Sequence, residues 1–185
     1  MKKSILFAMF LGGVFAANAQ TTPGTPQSAE ATLNVKLYPI QTIIVNPLNK
    51  TVNLEFTSVT EYANGVDQDQ EDHLQVYSTG GFQINVKALG NLTSSGAGTI
   101  DLADIKVTAS PGTTNALTDT AAGTYKSVDL TTANQLLVDN AVGGINKSIN
   151  VNYAALGGAT YVDKYINGQN PTVYTTEVTY TISPK

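Results

Sequence analysis

An all-β chain folded as one antiparallel β-sandwich is what this sequence predicts, and three observations carry the prediction. Apolar residues recur at every second position through most of the chain; the segments that do so are short and bounded by Gly, Asn and Pro; and no window keeps apolar residues at i, i+3, i+4 and i+7. Some eight to ten strands of this kind fit a sandwich, with a barrel as the second choice. No internal repeat of fixed period occurs, which speaks against a solenoid or propeller.

The first residues have a different task. Met1, Lys2 and Lys3 give a positive start, Ile5 to Phe15 an apolar run broken only by Gly12 and Gly13, and Ala17-Asn18-Ala19 a small-x-small site, so residues 1–19 read as a secretory signal peptide cleaved after Ala19. The run is shorter than the roughly 20 residues a membrane span needs, so no transmembrane anchor is expected in the mature chain. No Cys follows the cleavage site, which removes acyl anchoring through a thiol. Residues 20–31, with Pro23, Gly24 and Pro26 among Thr and Ser, read as a flexible arm, and residues 32–185 as the sandwich domain.

Within the domain, Leu33, Val35 and Leu37 alternate with Asn34 and Lys36, Ile43 to Val45 follow Pro39, and Val52, Leu54 and Phe56 alternate with Asn53 and Glu55. Each is expected to be a strand with one face in the core. Residues 62–72, opening on Asn64-Gly65 and rich in Asp, Gln and Glu, are expected to form a polar loop. Strands resume at Leu74 and Val76, break at Gly80-Gly81, and continue as Phe82, Ile84, Val86 and Ala88, the clearest amphipathic strand. Ile100 with Leu102, Ile105 with Val107, Val128 with Leu130, Leu136 with Val138, and Ile149 through Tyr153 follow, and residues 110–124 are turn-like. The chain closes on Tyr174, Thr176, Val178, Tyr180 and Ile182. The best helical candidate is residues 133–142.

Composition bounds the chemistry. Cys is absent, so the fold holds without disulfides and neither thiol catalysis nor a thiolate zinc site can be built. Beyond the signal the chain carries eight Lys, no Arg and 14 acidic residues, a net charge of −6, which argues against nucleic acid as a partner. The single His, His73, is expected at an exposed loop end, and no nucleophile–base motif accompanies it, so no catalytic residue is assigned.

Asp67, Asp69 and Glu71 stand at alternate positions in the acidic stretch, a spacing that can turn oxygen ligands toward Ca²⁺, although the Gly and Glu of an EF-hand loop are missing; any calcium held there would be structural, and a solvated charged loop is the competing reading. No other cofactor is implied. Tyr161, Tyr165 and Tyr174 are candidates for a platform that stacks on glycans or a protein partner, against the plainer reading of Tyr as a favoured strand residue. Asp119-Thr120-Ala121 resembles an O-glycosylation motif of exported bacterial proteins, with Thr120 as acceptor.

The order of a signal peptide, residues 33–37 with 43–45, the central stretch 81–86 and the terminal stretch 174–182 is similar to exported pilin-like and WxL-like β-sandwich domains of bacterial surfaces. The sequence has no Trp, so the cell-wall docking signature of WxL domains is not carried over. The resemblance implies an immunoglobulin-like or pilin-like sandwich and a non-enzymatic structural or adhesive role, with partners that are copies of itself, other surface proteins or glycans. It also implies assembly in which one subunit's strand completes the sheet of the next, residues 33–37 or the terminal Val178, Tyr180 and Ile182 being the candidates. Pairing of both segments within their own sandwich is the competing expectation. The rival functions are a carbohydrate- or calcium-binding module and, further off, a secreted hydrolase.

Overall fold

The computed structural model describes residues 27–96, 98–118 and 124–185; the expected signal peptide, most of the arm and Thr120 lie outside them. Residues 27–36 belong to one unit and Leu37–Lys185 form another. The second is an antiparallel β-sandwich built from β1 (Gln41–Val45), β2 (Val66–Ser78), β3 (Phe82–Ala88), β4 (Leu92–Thr93), β5 (Thr99–Ile100), β6 (Ile105–Pro111), β7 (Ser127–Asp129), β8 (Gln135–Asn140), β9 (Gly144–Ala155) and β10 (Val178–Pro184), with one short helix, α1 (Val59–Asn64). One sheet has the order β1-β2-β9-β6-β7, the other β10-β3-β8, and β4 with β5 makes a small ribbon. Both sheets are open, so the barrel alternative is set aside. Among the described residues no helix is long and apolar enough to cross a membrane.

Period two does what it should at the centre. Phe82, Ile84 and Val86 of β3 are completely buried, and they meet Leu74 and Val76 of β2, Val107 of β6, Leu137 and Val138 of β8, and Ile149 and Val151 of β9 in one core. β3 is covered on both edges, by β10 and β8, which explains why its alternation is the cleanest in the sequence.

At four places the expectations fail for a physical reason that the ladders and caps make plain. Residues 62–72 are not a loop. Ser58 and Glu61 form a capping box in which each side chain takes the other's backbone N–H, starting α1, and Gly65 ends it at φ +89°. The polar stretch that follows is the first half of β2, because Val66 to Gln70 pair with Val151 to Ala155 of β9 whatever their side chains carry. Residues 133–142 are not helical. They hold β8, where a register shift opposite Ile84 and Asn85 leaves Leu137 as the extra residue; Leu137 and Val138 are both buried, a doublet that imitates helical spacing.

His73 is not exposed. Between Gln70 and Leu74 the β2 ladder slips so that three residues face Asn150 of β9, and Asp72 takes φ +48°. That bulge turns both His73 and Leu74 into the core. Finally, residues 33–37 form no strand. Leu33, Val35 and Leu37 are 88, 76 and 88% exposed, and among the described residues their backbone groups have no hydrogen-bond partner. Alternation permits a strand, but a ladder partner makes one.

Removing the largest fully buried side chain tests this core. Phe82→Ala is expected to cost about 3–5 kcal/mol, measured by urea unfolding, because the paired strands around it cannot collapse into the space.

Candidate functional site

The side of the sandwich where β1 lies beside β10 is built differently from its centre. β10 ends the smaller sheet and pairs only with β3, Val178, Tyr180 and Ile182 standing opposite Ala88, Val86 and Ile84. Their β3 partners are completely or almost completely buried, yet these three side chains are only half-buried. The same holds for Ile43 and Val45 of β1 and for Val52, Leu54 and Phe56, all packed against the core without being enclosed by it. Residues 52–56 keep the alternation expected of a strand, with Asn53 and Glu55 outward, but their backbone makes no hydrogen bond among the described residues. Phe56 packs with tilted rings against Tyr161 at 4.6 Å and Tyr62 at 5.2 Å, which anchors the end of this stretch.

β1 pairs with β2 only from Leu74 onward, so among the described residues the outer edge of Val66 to Gln70 has no ladder partner either. There a cleft of about 600 Å³ opens, lined by residues 51 and 53–55 on one side and Val66, Asp67, Gln68 and Gln70 on the other, with Glu61 at its rim. Its lining is polar and holds no His.

Beneath this side runs a hydrogen-bonded chain, buried at its middle and part-buried at its ends. Asn49 gives its amide N–H to the Glu71 carbonyl at 2.9 Å, which turns Oδ1 toward His73 Nδ1 at 3.2 Å, so Nδ1 carries the proton. His73 Nε2 then accepts from the Tyr153 hydroxyl at 3.0 Å, and Tyr153 in turn accepts from the Tyr180 hydroxyl. The chain ties β2 and β9 of one sheet to β10 of the other. Burial drives the His73 pKa down from 6.5 to about 4, pushes Tyr153 up to about 12 and raises Tyr180 well above its ordinary value. With both ring nitrogens bonded inside the core, His73 is a structural link between the sheets.

The residues singled out in the sequence are dispersed. Asp67 and Asp69 lie on the outward face of β2, where the amide of Asn152 on β9 donates to both, at 3.0 and 2.8 Å. Among the described residues no three His, Asp or Glu side chains gather as a metal site. Asp72, which the sequence reading passed over, is better placed. It accepts from the hydroxyl of Thr114 and from the backbone N–H groups of Thr113 and Thr114, and these bonds hold its carboxyl below the usual range and pin the loop after β6. Tyr161 is buried against Phe56, Tyr165 is exposed, and Tyr174 donates to the Lys164 carbonyl at 2.8 Å. The half-covered row on β10 was in view as a strand, but that it would stay uncovered had no local signal.

No protein-family model and no curated protein sequence matches the chain.

Two outcomes follow. The unfolded chain takes up a proton on His73 near pH 6.5, while the folded one resists until about pH 4. Stability is therefore full above pH 6.5 and falls by about 3 kcal/mol as the pH drops through that window. His73→Phe, less stable at neutral pH, should show a flatter profile in the same denaturant titrations. Replacing Asp67 and Asp69 together by Asn should change stability by less than about 0.5 kcal/mol, as for other surface positions, with a melting temperature unmoved by calcium or chelator.

Proposed function

We propose that this chain is a non-enzymatic exported structural or adhesive protein of the bacterial surface, a subunit that works by joining copies of itself. The observation that supports this reading most is the set of incompletely covered apolar side chains on β1, residues 52–56 and β10, on a chain that also holds Leu33, Val35 and Leu37 in solvent. Unpaired strand edges are usually blunted by charge, bulges or covering segments, because an open edge recruits another chain. Here the β10 edge carries no Lys, Asp or Glu between Val178 and Ser183. Leu33, Val35 and Leu37 are exposed, and exposed apolar surface commonly marks an interaction site.

The sequence supports the same direction. A leader of the secretory kind would take the chain out of the cytoplasm, and the pattern-level resemblance to pilin-like surface domains points the same way. An enzymatic reading finds less support, since the one His is locked in the core and the cleft beside β2 offers carboxylates without a base of another kind.

Protein purified after export under its own leader is expected to elute as oligomers and to show fibres or short polymers by negative-stain electron microscopy. A monomer that persists across the whole soluble concentration range overturns the proposal.

A further inference from the structure

The cleft beside β2 holds a buried polar side chain that the protein leaves unsatisfied. Gln70 is the one buried residue among those that line it, 9% exposed, and it stands in the ladder opposite the completely buried Val151 of β9. Among the described residues its side-chain amide has no hydrogen-bond partner, yet the amide is not fully enclosed, so it opens into the cleft. A buried amide is ordinarily bonded, because leaving water without a partner costs stability.

The groups around Gln70 share one character. Glu55, Glu61 and Asp67 line the same cleft, and no Lys or Arg does. Their contacts within the protein leave acceptors over. Glu61 uses Oε2 alone in the cap of α1, Asp67 accepts from the Asn152 amide through Oδ2, and Gln68 commits its donor to the Asp69 carbonyl at 3.0 Å while its own amide oxygen stays unbonded. The N–H and hydroxyl of Thr57, with the N–H of Ser58, hold the Glu61 carboxyl below its ordinary range, so it stays ionised. The cleft is rich in acceptors and negative charge and poor in donors.

We propose that this cleft binds a small organic cation of the polyamine class, its ammonium N–H groups donating to Glu55, Glu61 and Asp67 and to the Gln70 amide oxygen. This does not rest on self-association, and each reading can fail without the other.

Other ligand classes fit this lining less well. An anion would meet three carboxylates and no cationic side chain. A bare metal ion needs several oxygens drawn to one point, and among the described residues no three His, Asp or Glu side chains gather so. No aromatic ring lines the cleft, so the apolar face of a sugar has nothing to stack on. A polyamine carries its charges spread along a flexible chain, each ammonium a donor only, so each can meet a separate carboxylate. The volume of about 600 Å³ lies within the ordinary range of small-molecule sites. Gln70 adds what surface acids lack. Exposed charges alone are screened and hold cations weakly, whereas a buried amide gives one fixed acceptor away from bulk water.

Isothermal titration calorimetry on the native chain, exported under its own leader and kept at low ionic strength, tests this with spermidine as the probe. Saturable one-to-one binding is expected, about ten-fold or more tighter than that of Mg²⁺ or of fully acetylated, uncharged spermidine. Gln70→Met, which removes the amide and keeps an unbranched side chain of similar length, should weaken spermidine about five-fold without lowering the unfolding midpoint. E55Q/D67N should weaken it about ten-fold with the midpoint kept, while D129N, an acid outside the cleft, leaves the affinity unchanged. Absence of saturable binding overturns the proposal. So does affinity undiminished in Q70M and E55Q/D67N, or reduced as much in D129N, since either means adsorption to a negative surface. Mg²⁺ or acetylated spermidine binding as tightly as spermidine overturns the ligand class. An oligolysine peptide that binds more tightly than spermidine and loses that affinity in Q70M overturns the small-molecule assignment in favour of a protein partner.

Discussion

The ladder between β2 and β9 is the constraint from which the rest of the molecule follows. It joins a strand of thirteen residues to one of twelve, and β2 is polar through its first half and alternates apolar with polar through its second. Backbone hydrogen bonds do not depend on side-chain polarity, so the ladder carries Asp67, Gln68 and Asp69 into a sheet that their side chains alone would not have sought. The change from one half to the other falls at the bulge opposite Asn150, where Asp72 is turned out to grip Thr113 and Thr114 and His73 is turned in toward Tyr153. One slip in register thus fixes a loop on the outside and a polar chain on the inside.

That polar chain reaches β10, and β10 is where the sandwich is least finished. A strand held on one edge by β3 and from below by Tyr153 has its position determined before anything pairs with its other edge. Its backbone is thereby ordered by β3 and Tyr153. β1 stops pairing at Leu74, and residues 52–56 continue along the core without a ladder of their own. The openness is therefore built from two causes: an edge strand with one neighbour, and a segment that packs its side chains while leaving its backbone unbonded.

Much of the architecture was legible in the sequence. Wherever a strand is covered on both edges and one face, as for residues 82–88 and 149–153, the alternation named it and its inward face correctly. Misreadings cluster where a second influence overrides side-chain periodicity. Polar residues 66–70 are strand because β9 pairs with them, and Leu137 with Val138 mimic a helix because a bulge turns neighbours the same way. His73 is buried because of the slip beside it, an event with no marker among its neighbours except the acidic run that suggested a loop. Of the candidate site residues, Tyr161 went to the core and Asp67 and Asp69 to a shared amide, since the partners that absorb them lie far along the chain.

By itself the sequence determined that the chain is all-β, that it is free of disulfides, and that it holds apolar rows at residues 33–37, 52–56 and 178–182; composition and period are local properties, and a strand's two faces are written in neighbouring residues. Only the tertiary structure decided which of those rows is enclosed, which is half-covered and which is left in solvent. The physical reason is that burial and ladder pairing belong to pairs of segments, and an isolated segment carries no record of whether its partner will arrive.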